Sequence, residues 1–170
     1  MNRPWSIWLE PCKTDRIRLQ KLIKDVYAHF NSPVFDPHIT LFGRVNIDPS
    51  LAFPSLIEIV SGHRQIELGT IDIQRGKSPW KTLFIQFKKS DAIEYLQHKI
   101  DQEMAQYHSY EFDPHLSLVY GDLDINKLEF DHISFPETIT FSSVGLVYTP
   151  NQITEWQRIN QVGLEGGIVL

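Results

Sequence analysis

Two short stretches carry the residues best suited to chemistry: Phe35-Asp36-Pro37-His38-Ile39-Thr40-Leu41 and Phe112-Asp113-Pro114-His115-Leu116-Ser117-Leu118. Phe-Asp-Pro-His is identical in both, Ile/Leu and Thr/Ser are conservative exchanges, and both stretches end in leucine. In a strand, residues two apart share a face. His38 and Thr40 would therefore point one way, and Ile39 and Leu41 the other, into a core. His115 and Ser117 repeat the arrangement, with Leu116 and Leu118 opposite. Two such strands facing each other across a cleft would set two imidazoles and two hydroxyls around one small volume. That volume suits a phosphate, with hydroxyls donating to its non-bridging oxygens and an imidazole on either side of the phosphorus. Opening a phosphodiester needs a proton taken from water and another delivered to the departing oxygen. Histidine suits both tasks, because its ordinary pKa of ~6.5 lies near neutral pH. The competing structural reading makes each Pro-His the polar start of a strand. A matched second copy weighs against it.

The elements needed to hold these motifs are legible around them. Trp5–Leu9 reads as a strand closed by Pro11. Thr14 or Asp15 is placed to cap a helix with Leu19, Leu22, Ile23, Val26, Tyr27 and Phe30 on one face, stopped by Asn31-Ser32-Pro33. The first motif strand follows, from His38 to about Val45, then a shorter helix from Asp48-Pro49 to about Gly62. Gln65–Ile73 alternates as a strand whose apolar parity switches, and Gly69 marks an expected bulge. Gly76-Lys77-Ser78-Pro79 predicts the turn of a hairpin into a strand from Trp80 to Lys88. Ser90-Asp91 starts a third helix with Ile93, Leu96, Ile100 and Met104 buried. The second motif strand runs from His115 to Tyr120, and strands near 137–147 and 154–162 close the chain. Strand, long helix, motif strand thus occurs twice, 77 residues apart. This predicts an α+β architecture of two lobes, each a mainly antiparallel sheet with helices outside, around a central cleft. No linker is evident, so residues 1–170 are expected to form one two-lobed domain.

Composition narrows the function classes. Sixteen basic and 21 acidic residues give a net charge of −5, against the basic excess that binding of long nucleic acid exploits. A small phosphorylated substrate held by a few aimed groups fits better. No apolar run reaches the ~20 residues of a membrane helix, and the N-terminal residues do not read as a secretory leader. Cys12 is the sole cysteine, which excludes an internal disulfide and a cysteine-built zinc site and predicts a cytoplasmic location. The remaining histidines, at 29, 63, 98, 108 and 132, lack metal-ligand spacing, so no metal and no cofactor is expected.

The paired H-x-[ST]-x pattern resembles the signature of the two-histidine (2H) phosphoesterase superfamily, and within it the cyclic phosphodiesterases of plant and yeast type. The likeness extends to the opening Trp5-Ser6-Ile7-Trp8-Leu9-Glu10-Pro11, the hairpin near Trp80, and Thr154-Glu155-Trp156. It implies a bilobal, pseudo-twofold fold and metal-independent hydrolysis. The implied substrates are ADP-ribose 1″,2″-cyclic phosphate, opened to the 1″-phosphate, and nucleoside 2′,3′-cyclic phosphates, opened to 2′-phosphates. His38 and His115 are then the catalytic pair, Thr40 and Ser117 bind the phosphate, and Tyr120 joins them there. Tyr120 has the opposite strand parity to His115 and Ser117, so it reaches the cleft only where the strand bends or ends, as Gly121 would permit. Trp80, beside Lys77 and Lys81, either stacks on a nucleobase or packs as the first aromatic of its strand. Trp5, Trp8 and Trp156 are expected in the core or at the sheet edge. Asp36 and Asp113 are expected to turn outward at the opening of their strands, since the intervening proline breaks the alternation.

The expected partner is a small cyclic-phosphate nucleotide, and the protein is expected to act as a monomer away from membranes. Two rival readings stand beside this one. The first is an RNA-end 2′,3′-cyclic phosphodiesterase or 2′–5′ RNA ligase-like enzyme. The second is a non-catalytic nucleotide-binding module.

Overall fold

The computed structural model describes residues 3–124, 126 and 129–165. In chain order the elements are β1 (Trp5–Pro11), α1 (Lys13–Phe30), β2 (Ile39–Val45), α2 (Phe53–Ser61), β3 (Ile66–Arg75), β4 (Leu83–Phe87), α3 (Asp91–Met104), β5 (His115–Val119), β6 (Thr138–Tyr148) and β7 (Gln157–Gly163). Every pairing between these strands is antiparallel. The order β1-β2-β5-β4-β3-β6-β7, with β1 also bonded to β6, joins the strands of both lobes into one hydrogen-bonded network.

The duplication is visible in this order. β1 pairs with β2, and β4 pairs with β5, so each repeat contributes a motif strand and a neighbour beside it. The two motif strands meet at a single pair, Ile39 opposite Leu116. These are equivalent positions of the two motifs, so the approximate twofold axis passes between them. The helices cross over: α1 packs on β1 and β5, and α3 packs on β2. Each long helix therefore covers the other repeat's motif strand. Ile39, Leu41, Leu116 and Leu118 lie fully buried beneath them, as the alternation of the motifs requires.

Several local expectations need correction. Cys12, with no side-chain cap, precedes α1. Asp15 instead accepts hydrogen bonds from the Thr140 amide at 2.8 Å and from Arg18, so tertiary pairing has claimed the expected cap. Asn31 does end α1, in a left-handed conformation (φ 50°) that its short polar side chain tolerates. Asp48 caps a 3-10 turn, Pro49–Leu51, and the α-helix begins only at Phe53. In β3 the register shift falls between Thr70 and Ile73 rather than at Gly69. The hairpin strand starts at Leu83, which leaves Trp80 in the turn. Residues Ile153–Glu155 form a 3-10 turn, and the last strand begins after Trp156.

Among the described residues no helix is long and apolar enough to cross a membrane.

Candidate active site

Pro37 and Pro114 end each approach to a motif strand, and the histidine beyond each is tied back to the carbonyl of the residue two before it. His38 Nδ1 lies 2.7 Å from the Asp36 carbonyl oxygen, and His115 Nδ1 lies 2.8 Å from that of Asp113. A carbonyl can only accept, so both Nδ1 atoms carry hydrogen and donate. In the neutral ring this leaves the lone pair on Nε2, the atom able to take up a proton. The paired acids thus orient their histidines through backbone oxygen. Their carboxylates turn to other partners: Asp36 to Arg16 at 3.0 Å and Gln20 at 2.9 Å, Asp113 to Lys81 and Gln86.

Both histidines line one cleft of about 280 Å³, together with Ser6, Trp8, Thr40, Gly43, Arg44, Trp80, Lys81, Tyr110, Tyr120, Thr149 and Trp156. β5 ends at Val119, and Gly121 takes φ 113°, a value that suits glycine. The chain leaves the strand there, and the Tyr120 hydroxyl comes within 3.4 Å of His38 Nε2. The parity conflict is resolved by the strand's end. Ser117 lies behind the open surface: it is 3% exposed and its Oγ has no partner of hydrogen-bonding geometry. It is still near enough to the Tyr120 phenol to oppose slightly the burial that pushes that group up to about 12.

The two imidazoles sit in different surroundings. Trp8 lies parallel to His38 with ring centres 3.5 Å apart, and Trp156 meets it edge-on. Burial lowers the His38 pKa to about 4, and the second histidine's charge adds to the effect. His115 faces the edge of Phe84 at 5.3 Å and has the Asp113 carboxylate 3.8 Å from its Nδ1. Burial lowers its pKa too, the Asp113 carbonyl opposes this, and Lys81 lowers it further. Both rings are therefore held toward the neutral form.

Sequence reasoning missed much of the wall. Trp8 and Trp156, expected to be core or sheet-edge residues, line the cleft and enclose His38. Trp8 stands opposite Thr40 across β1 and β2, so both side chains leave the same face. That relation would have betrayed Trp8 had the strand pairing been known. Tyr110 fills the space beside Gly43, where a Cβ would meet its ring at 3.2 Å, and burial raises its pKa. Among the described residues, no group of three or more His, Cys, Asp or Glu is placed to hold a metal ion.

Residues 3–134 match the family model for cyclic phosphodiesterase-like proteins. The chain belongs to that family. Its membership, with both motifs intact, makes it a 2H phosphoesterase in the broad sense. No curated protein matches it in sequence. Among solved structures, E. coli LigT complexed with 3′-AMP superposes with a TM-score of 0.66 at 13% identity, covering 96% of this chain and 99% of LigT. TT0787 of Thermus thermophilus gives 0.66 at 11% identity over 95% and 97%. LigT complexed with ATP gives 0.67 at 12% identity over 95% and 97%. At these identities the likeness establishes the shared fold.

Proposed function

We propose that this protein hydrolyses cyclic phosphodiesters of small nucleotides without a metal ion, using His38 and His115 as its acid–base pair. The substrates are ADP-ribose 1″,2″-cyclic phosphate, opened to the 1″-phosphate, and nucleoside 2′,3′-cyclic phosphates, opened to 2′-phosphates. The observation that carries the reading is the matched pair of imidazoles in one cleft, each with Nδ1 tied to a carbonyl and Nε2 left for chemistry.

In the reaction one Nε2 removes a proton as water attacks phosphorus. The new P–O bond forms while the bond from phosphorus to the 3′ oxygen breaks, and the other imidazolium protonates that oxygen. The 2′-phosphate remains. The substrate's anionic phosphate between the rings favours their charged forms, and so offsets the burial that keeps them neutral beforehand. Thr40, Ser117 and Tyr120 hold the phosphate. Trp80, 40% exposed at the rim, takes the base against its ring. The protein acts as a cytoplasmic monomer, with the whole chain as one two-lobed unit. LigT has been solved with 3′-AMP, NADP+ and ATP, and a small nucleotide in this cleft accords with that.

The test is to incubate pure protein, with and without exhaustive chelation, with ADP-ribose 1″,2″-cyclic phosphate, adenosine 2′,3′-cyclic phosphate and a cyclic-ended oligonucleotide. Phosphorus NMR identifies each product. Turnover of the small substrates to 1″- and 2′-phosphates in chelator is expected. Turnover of the oligonucleotide alone would transfer the activity to RNA ends, and dependence on an added divalent metal would remove the metal-free mechanism.

A further inference from the structure

Arg44 is one of two residues outside glycine with a positive φ among the described residues, at 59°. The other, Asn31, is a helix cap of the type that tolerates this conformation. Arginine gains nothing locally from it, and strained backbone of this kind persists where surrounding structure enforces it. The duplication provides an internal control. Seventy-seven residues later, at the equivalent position, stands Gly121, also at positive φ. One copy makes the turn with the residue suited to it, and the other makes it with an arginine.

The strain serves to aim a side chain. β2 departs from regular pairing with β1 near this point, and the Arg44 amide donates to Ser6 Oγ at 3.0 Å. The guanidinium then reaches the cleft that holds both histidines. It donates to Asn151 Oδ1 at 2.7 Å and lies over the Trp80 ring, 5.4 Å from its centre. Neither partner neutralises it. The cleft's other cation, Lys81, is already paired with Asp113. Arg44 is therefore the cation at this site whose charge remains available. Its place at the rim beside Trp80, with Thr40 and Tyr120 available to the phosphate that reacts, leaves it for a different anion.

We propose that Arg44 is a specificity residue that binds a second phosphate of the nucleotide, distinct from the cyclic one. It selects substrates carrying a 5′-phosphate or pyrophosphate over those with the cyclic phosphate alone. This rests on the reading of the cleft as a nucleotide phosphodiesterase site.

Equilibrium binding separates the two ideas, because it needs no turnover. Calorimetry compares adenosine 2′,5′-bisphosphate with adenosine 2′-monophosphate on wild type, Arg44→Gly, Arg44→Asn and Arg44→Lys. Wild type should prefer the bisphosphate by about 10-fold or more, the scale of a hydrogen bond to a charged group. Arg44→Gly and Arg44→Asn should bring that ratio close to one, and Arg44→Lys should keep part of it. Arg44→Gly should also raise Tm by about 2–4 °C, as relief of backbone strain requires. Where turnover is measured, KM should rise for the 5′-phosphorylated cyclic nucleotide far more than for the unphosphorylated one, with little change in kcat. An unchanged bisphosphate preference in both Arg44→Gly and Arg44→Asn overturns the proposal, and a fall in Tm alongside it would make the residue a strut for Trp80. If wild type shows the expected binding but hydrolyses no cyclic phosphate, the catalytic reading fails while the second-phosphate site stands.

Discussion

The two motifs are nearly the same sequence, yet their histidines occupy different environments. His38 is 4% exposed, stacked on Trp8, edged by Trp156, and within reach of the Tyr120 hydroxyl. His115 is more open, flanked by Phe84, with a carboxylate and an ammonium close by. The positions that differ between the copies make this asymmetry. Trp8 and Phe84 hold equivalent places opposite Thr40 and Ser117. Tyr120 corresponds to Gly43, and Gly121 to Arg44. What was kept through duplication is the tethered imidazole, and what diverged is its surroundings. A symmetric site can bind a symmetric ion, but hydrolysis needs one base and one acid, and unequal neighbours are how two identical groups are given unequal work.

The largest expected effect tests whether both copies are needed. His38→Ala and His115→Ala should each lower kcat by ~10²–10⁴, the range for loss of one general acid or base. The double variant should lose much less than the product, because neither transfer is useful without the other. A folded single variant with near-full activity would end the two-histidine mechanism. Since both rings titrate below the ordinary 6.5 in the free protein, kcat/KM should be bell-shaped with its maximum on the acid side of pH 6.5. The maximum of kcat should lie higher, because bound phosphate favours the protonated rings. Coincident maxima near pH 8 would contradict the burial argument.

How much of this was legible in sequence follows from the physics of each element. The motif strands turn Ile39, Leu41, Leu116 and Leu118 into the core and His38, Thr40 and His115 to the cleft, so alternation displays both faces, while Ser117, of the same parity, lies behind the open surface. β1 alternates in sequence but is buried along its whole length, and the parity that Trp8 shares with the polar Ser6 and Glu10 was the only mark of its cleft side. Trp156 lies in extended backbone between the 3-10 turn Ile153–Glu155 and β7, and its place depends on the rest of the sheet. Tyr120 defied parity because the decisive fact was where β5 stops. Arg44 carried no signal at all, since positive φ is expected at glycine and asparagine, not arginine. Asp15 was misjudged because the amide it satisfies belongs to Thr140, distant in the chain.

Next in size is a stability effect that should belong to the His38 half. Its folded pKa, about 4, lies below the ~6.5 of an unfolded chain. Above pH 6.5 both states hold the ring neutral, and it imposes no proton-linked cost. As pH falls from 6.5 to 4 the unfolded chain takes up a proton that the folded protein refuses, and stability declines. The loss levels off near pH 4, after about 3 kcal/mol, at about 1.4 kcal/mol per pH unit. Chemical denaturation of wild type and His38→Gln at pH 7 and pH 4.5 measures it. The variant should be less sensitive to acid, and equal slopes in the two proteins would mean that His38 is solvated.

The hydroxyls should separate more gently. Thr40→Val preserves shape and removes a donor at the cleft surface, so it should cost ~1.5–3 kcal/mol of transition-state stabilisation with an unchanged Tm. Ser117→Ala removes a buried hydroxyl that has no well-formed hydrogen bond in the free protein. Without substrate its loss should leave stability unchanged or slightly raised, and an equivalent kinetic penalty would show that the hydroxyl finds its partner in bound phosphate. Wild-type kinetics in both variants would return the two residues to a purely structural role.

The smallest effects should come from the carboxylates, and here the halves should again differ. Asp36 and Arg16 form a half-exposed ion pair, the kind worth ~0–1 kcal/mol, so Asp36→Asn should change stability by no more than that. His38 is held by the Asp36 carbonyl, which the substitution retains, so kcat should stay within a few-fold of wild type. Asp113 is bound more closely into the site. Burial would raise its carboxyl, but hydrogen bonds from Lys81 and Gln86 and the nearby positive charges hold it below its ordinary value. Asp113→Asn keeps the carbonyl that orients His115, removes the negative charge beside its ring, and leaves Lys81 without its partner. Both electrostatic changes disfavour the imidazolium, so the His115 limb of the pH profile should move to lower pH. Each carboxylate is the smallest of the influences on its ring, but only Asp113→Asn also leaves an ammonium, Lys81, unpaired beside it, so Asp36→Asn should move the His38 limb less. Parallel pH profiles of the two variants make the comparison. A loss in kcat for Asp113→Asn as large as that for His115→Ala would show that the carboxylate takes part in the proton transfer itself, and the carbonyl tether would then be only half of what the acid contributes.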